Sequence, residues 1–114
     1  MSTIRAVVAD PSVPERLALR EVDAPTPLPN EALVRVRAIS LNRGEVRNAM
    51  NTTAAIRPGW DVAGTVERAA ADGSGPREGT RVVGFLNTGG WAELVGIANR
   101  LFSDTHGRPD ILRR

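Results

Sequence analysis

The chain has 114 residues, of which 41% are apolar and 25% charged, enough for one domain with a real core. It contains no cysteine, which excludes disulfides, thiol catalysis and every thiolate zinc site. All fifteen basic residues are Arg and the net charge is only +2, so the very high sequence pI of about 10.9 reflects the absence of Lys rather than a basic surface.

In chain order the sequence reads mostly as short strands. "IRAVVA" (4–9) is a first strand, broken by the two prolines of "DPSVPE". "RLALREV" (16–22) alternates apolar and charged residues, as a half-exposed strand does. "APTPLPN" (24–30) holds three prolines and reads as a stiff extended connector. In "ALVRVRAISL" (32–41) Val34, Val36, Ala38 and Ser40 share one face, and Arg35 and Arg37 share the other with Leu33, Ile39 and Leu41. That pattern predicts a strand packed on one side and partly covered on the other.

"NRGEVRNAM" (42–50) is the helix candidate. Asn42 can cap it and Glu45 falls three residues later, in capping-box spacing. Gly44 lowers the propensity and predicts about two turns. "DVAGTVERAA" (61–70), "TRVVGFL" (80–86) and "GGWAELVGI" (89–97) are further strands, with "DGSGP" (72–76) a turn between the first two. After residue 95 the alternation fades, so residues 96–114 read as an atypical tail. Several short strands with Gly and Pro punctuation predict a mainly β barrel or sandwich carrying one small helix.

Much chemistry is excluded. No G-x-G-x-x-G follows a strand, and Gly73-Ser74-Gly75 continues with Pro-Arg rather than a P-loop Lys. One His and no Cys cannot build a His/Cys metal cluster. Ser40, Ser74 and Ser103 lack a nucleophile-elbow context. Up to Val95 acids and arginines cancel, and the surplus lies in Arg100, Arg108, Arg113 and Arg114 against Asp104 and Asp110. Mixed charge and four aromatics offer neither a phosphate-binding stripe nor a stacking platform, so nucleic acid is not the expected partner. With no signal peptide and no apolar run of about eighteen residues, a soluble cytoplasmic protein without membrane association is expected.

Three stretches occur in order: "AISLNRGEVR" (38–47), "RPGWDVAGTVE" (57–67) and "EGTRVVGFLNTGGWAELV" (78–95). Together they resemble the GroES-like N-terminal domain of the medium-chain dehydrogenase/reductase superfamily, over residues 4 to about 95. The resemblance implies a partly open β-barrel with a short helix after the third strand, as residues 1–95, and it normally precedes a Rossmann domain that binds NAD(P). That domain is expected to be absent here, with residues 96–114 an atypical tail left by truncation or frameshift, or the end of a free-standing barrel.

In zinc-dependent members a Cys ligand falls where this chain has Asn42, and Gly-His-Glu falls on Gly59-Trp60-Asp61. An indole N–H donates hydrogen bonds and cannot ligate a metal. The chain therefore resembles the zinc-independent, quinone-oxidoreductase-like branch. What that implies is one part of an NADP(H)-dependent reductase of quinones or activated alkenes, without zinc, inactive alone, unable to bind the cofactor tightly by itself, and able to form a homo-oligomer. The alternative is a non-catalytic β-barrel binding or scaffolding module.

No catalytic residue is assigned. Asn42, Arg43, Arg47 and Trp60 are the candidate cleft or cofactor-proximal residues. Trp60 is either a wall of the substrate cleft or plain core. Asn42 matches the family's position beside nicotinamide and substrate, and also serves as a helix cap. Arg43 and Arg47, one turn apart, face either the cleft and cofactor phosphates or solvent. Glu45 is expected to cap the helix, and Asp61 to anchor the turn or pair with an Arg.

Overall fold

Alternating apolar residues place the strands where the sequence predicts them. The computed structural model describes residues 2–104. Its elements are β1 (Thr3–Ala9), β2 (Leu17–Asp23), β3 (Glu31–Ile39), α1 (Arg43–Asn51), β4 (Asp61–Arg68), β5 (Arg81–Phe85), β6 (Leu94–Ala98), a 3-10 turn (Asn99–Leu101) and β7 (Phe102–Asp104). β1 and β2 form a two-stranded sheet, and the other strands form a five-stranded antiparallel sheet in the order β6-β3-β4-β5-β7. Backbone bridges Ala6–Ala92 and Ala9–Ile56 tie the hairpin to the rest. The result is mainly β, a curled, partly open barrel with one short helix after the third strand, and no Rossmann fold lies among the described residues.

The core follows strand registry. Val34 pairs across to Val66 on one side and Val95 on the other, and all three are buried. Ala32 pairs with Ile97, both fully buried. Period-two alternation thus delivers one apolar row per strand to a common interior, where each fully buried Val or Ile contributes about 1.5–3 kcal/mol.

Two boundaries and one register differ from the sequence reading. The stretch 89–97 is a strand only from Leu94, because residues 89–93 leave the sheet. Gly89 and Gly90 N–H donate to Arg57 and Gly59 C=O, while Trp91 C=O accepts from Val7 and Glu93 N–H donates to Arg5 C=O. Order also continues past residue 95: Ile97 is in the core, and Phe102–Asp104 pair with β5. The fading alternation marks a 3-10 turn and a strand change, not the end of the sheet. Within β3, the pairing with β4 shifts between Val36 and Ala38. This bulge at Arg37 ends the simple two-face alternation, so that Ala38 is exposed while Val34 is buried.

Candidate functional site

The site forms where β3 runs into α1 and the Pro58-Gly59 turn runs into β4. Gly59 has φ +112° and lies against Trp91, whose backbone N and Cδ1 would each be 2.6 Å from a Cβ at that position. Only glycine turns there without strain and clash. This turn delivers Trp60 and Asp61 to the start of α1.

Asn42 is the N-cap of α1. Its backbone N–H donates to Glu45 Oε1 at 2.9 Å, the expected capping bond. Glu45 also does something its spacing does not reveal. Its other oxygen, Oε2, accepts the Trp60 backbone N–H at 2.6 Å, and the side chain is buried, with the residue 1% exposed. One carboxyl group therefore ties the helix start to the turn carrying Trp60. Two N–H donors satisfy it in the interior, which is what makes burial of so polar a group tolerable.

Asp61 takes neutral partners. Its Oδ2 accepts from Ser40 Oγ at 3.0 Å and from Asn42 Nδ2 at 3.1 Å, and Asn42 Nδ2 also lies 3.2 Å from Ser40 Oγ. The three side chains make a closed triangle at the end of β3. Asp61 and Ser40 line an open groove of about 340 Å³ whose walls include Ile39, Val62, Val83 and Phe85. The chemistry available is one carboxylate oriented by two neutral donors on an otherwise apolar surface.

Among the sequence-predicted residues, Asn42 and Trp60 come together, joined through Glu45. Trp60 is half-buried, with its ring lying over Gly44. Arg43 and Arg47 are exposed. They lie on the helix face away from the buried Glu45 and Ala49, and neither lines the groove. Sequence reasoning missed Ser40. Its only signal was its place two residues before the cap, on the strand that ends at the site.

The model of the alcohol dehydrogenase GroES-like domain matches residues 28–104, more than half of the chain and all of the site. The chain belongs to the alcohol dehydrogenase GroES-like domain family. No curated protein matches it. Among solved structures, this GroES-like domain is similar to a probable oxidoreductase from Mycobacterium abscessus, with 31% identity and a TM-score of 0.81, covering 91% of this chain and 35% of that one. It is similar to human synaptic vesicle membrane protein VAT-1 homolog-like protein, with 27% identity and a TM-score of 0.81, again over 91% and 35%. It shares its fold with a cobalt- and zinc-bound thermostable alcohol dehydrogenase from Pyrobaculum aerophilum, with 22% identity and a TM-score of 0.78, over 92% and 42%. The GroES-like domain thus spans about a third to two-fifths of the length of these structures. Because the fold occurs with bound zinc, the fold does not decide whether this chain takes a metal; its side chains do.

Proposed function

We propose that this chain is the N-terminal, substrate-side portion of a zinc-independent, NAD(P)H-dependent oxidoreductase acting on quinones or activated alkenes. The observation that carries the reading is the donor set at the positions where zinc-dependent relatives place ligands. Trp60 offers an indole, which has no lone pair for a metal. Asn42 turns its amide NH2 toward Asp61 and Ser40. Asp61 is then the single metal-binding type of side chain in the triangle, and no three of His, Cys, Asp or Glu cluster among the described residues. A tetrahedral zinc site needs three or four converging donors, and these residues do not fit one.

NADP(H) is the hydride source that the resemblance implies, and it supplies the redox chemistry when bound. The protein's share is positioning. Ile39, Val62, Val83 and Phe85 give an apolar wall suited to a flat, weakly polar acceptor. Trp60 fills the space beside the helix, and the Ser40–Asn42–Asp61 triangle holds the rim rigid. Ile39, Leu41 and Phe85 are exposed on this side, as expected of one wall of a chamber whose other wall lies on a cofactor-binding domain. Turnover is therefore expected only where this wall meets a cofactor-binding domain.

The test is a chimera in which this chain replaces the matching N-terminal domain of the Mycobacterium abscessus relative. NADPH oxidation dependent on 1,4-benzoquinone or an enone is expected, unaffected by a zinc chelator, and lowered roughly ten- to hundredfold by Trp60→Ala. Activity that requires added zinc, or micromolar NADPH binding and turnover by the isolated chain, would overturn the proposal.

A further inference from the structure

Arg16 is the one non-glycine residue with positive φ among the described residues, at +64°. It closes the turn between β1 and β2. Its N–H donates to Val13 C=O at 3.0 Å, and its C=O accepts from Asp10 N–H at 2.9 Å. A left-handed backbone brings Cβ against the following carbonyl, so glycine or asparagine is the cheaper residue at such a place. The turn by itself gives no reason for an arginine.

The reason lies at the far end of α1. The Arg16 guanidinium donates through Nη2 to Thr52 C=O and through Nε to Ala49 C=O at 3.4 Å. These carbonyls belong to the end of the helix, where C=O groups have no intrahelical donor and the helix dipole is negative. The last turn of α1 contains no basic residue of its own. The cation is imported from the hairpin instead. Just beyond, Ile56 and Ala9 exchange backbone hydrogen bonds at 2.9 and 2.8 Å, fixing the chain that leaves the helix against the same hairpin.

We infer that Arg16 is a positioning residue for the site. Its path to the site is short and rigid. α1 is nine residues long, about 13 Å. One end is held by Arg16, and the other carries Asn42 and Glu45, which grip Asp61 and the Trp60 N–H. A tilt released at Thr52 moves Glu45 relative to the turn it holds. The β1–β2 hairpin, remote in sequence and contributing no residue to the groove by Ser40 and Asp61, thereby sets the orientation of the groove's rim. The inference uses the proposed site for its functional meaning, but its test reads geometry and needs no turnover, so the two can fail separately.

The experiment is 15N–1H NMR of the chain with Arg16→Gly and Arg16→Lys. If the turn alone mattered, Arg16→Gly would relieve the backbone and leave the site untouched. The expected result is the opposite: amide exchange at Trp60 rises about tenfold, the Asn42 side-chain amide shifts, and the amide of Val95, paired with Val34 in the central core, stays in place. Arg16→Lys, which keeps the charge but not the planar fork, gives a smaller change in the same resonances. Trp60 and Asn42 resonances at their wild-type positions in Arg16→Gly overturn the inference. If that variant does not fold, wild-type positions and exchange in Arg16→Lys overturn it equally.

Discussion

The indole of Trp60 occupies the space a side chain at Gly44 would need: a Cβ on Gly44 would lie 2.8 Å from Trp60 Cη2. A glycine in the first turn of a helix, unfavourable by propensity, is thus explained by the neighbour packed on it. Gly44→Ala ordinarily gains up to about 1 kcal/mol of helix propensity. Here it is expected to cost about 1 kcal/mol instead, because the ring must shift while the Trp60 backbone stays tied to Glu45. In a Trp60→Ala background the same substitution becomes stabilising. Urea unfolding of the four proteins of this double-mutant cycle checks the sign change.

Glu45 supports two backbone donors at once. Glu45→Gln turns one accepting oxygen into an amide that can only donate, so one of the two N–H groups loses its partner in the interior. A loss of about 1–3 kcal/mol is expected, read as a lower urea midpoint with unchanged slope. A substitution without effect on the midpoint would mean that the Trp60 and Asn42 amides are satisfied by water.

Asp10 governs part of the acid response. The Ser12 hydroxyl and backbone N–H, followed by the Arg20 guanidinium, lower its pKa from 3.8 to about 2. The unfolded chain therefore binds more protons than the folded chain between these values, and stability rises with pH there. The contribution is complete above about pH 4 and is lost as pH falls through about 2. Glu93, held by the Arg5 backbone N–H and guanidinium, and Glu67, held by Arg35, are shifted in the same direction. Unfolding midpoints measured from pH 5 to pH 2 should fall, and Asp10→Asn should flatten that fall.

Leu41 is 71% exposed, and Ile39 and Phe85 are exposed beside the groove. Apolar side chains of this size left open at one end of a sheet drive association. The isolated chain is expected to self-associate at high concentration. Ile39→Ser with Phe85→Ser should shift it toward monomer without lowering its melting temperature, as light scattering and calorimetry would show. Association that persists in the double variant would place the contact elsewhere, with the exposed β2 edge residue Leu19 as the next surface to change.

Much of the fold was legible because strand and helix signals are local. Alternation in β3, β4 and β5, the prolines before residue 31 and the Asn42–Glu45 spacing each report on a few adjacent residues. The bulge at Arg37 was not legible, since a single extra residue leaves composition and period almost unchanged. Asn42 and Trp60 were named as candidates from motif position. Ser40 and the second bond of Glu45 were not, because each depends on a partner 15 or more residues away.

By itself, the sequence determined a mainly β chain with one short helix, and an amide at Asn42 and an indole at Trp60, the two positions that the resemblance assigns to zinc ligands. Those properties follow from side-chain chemistry and from the periodicity of the backbone, which need no knowledge of distant neighbours. Only the tertiary structure decided that Arg16 holds the far end of α1, that Asp61 takes Ser40 and Asn42, and that Arg43 and Arg47 are exposed and do not line the groove. Such pairings depend on how separated segments are brought within about 3 Å of each other, and no local pattern encodes that.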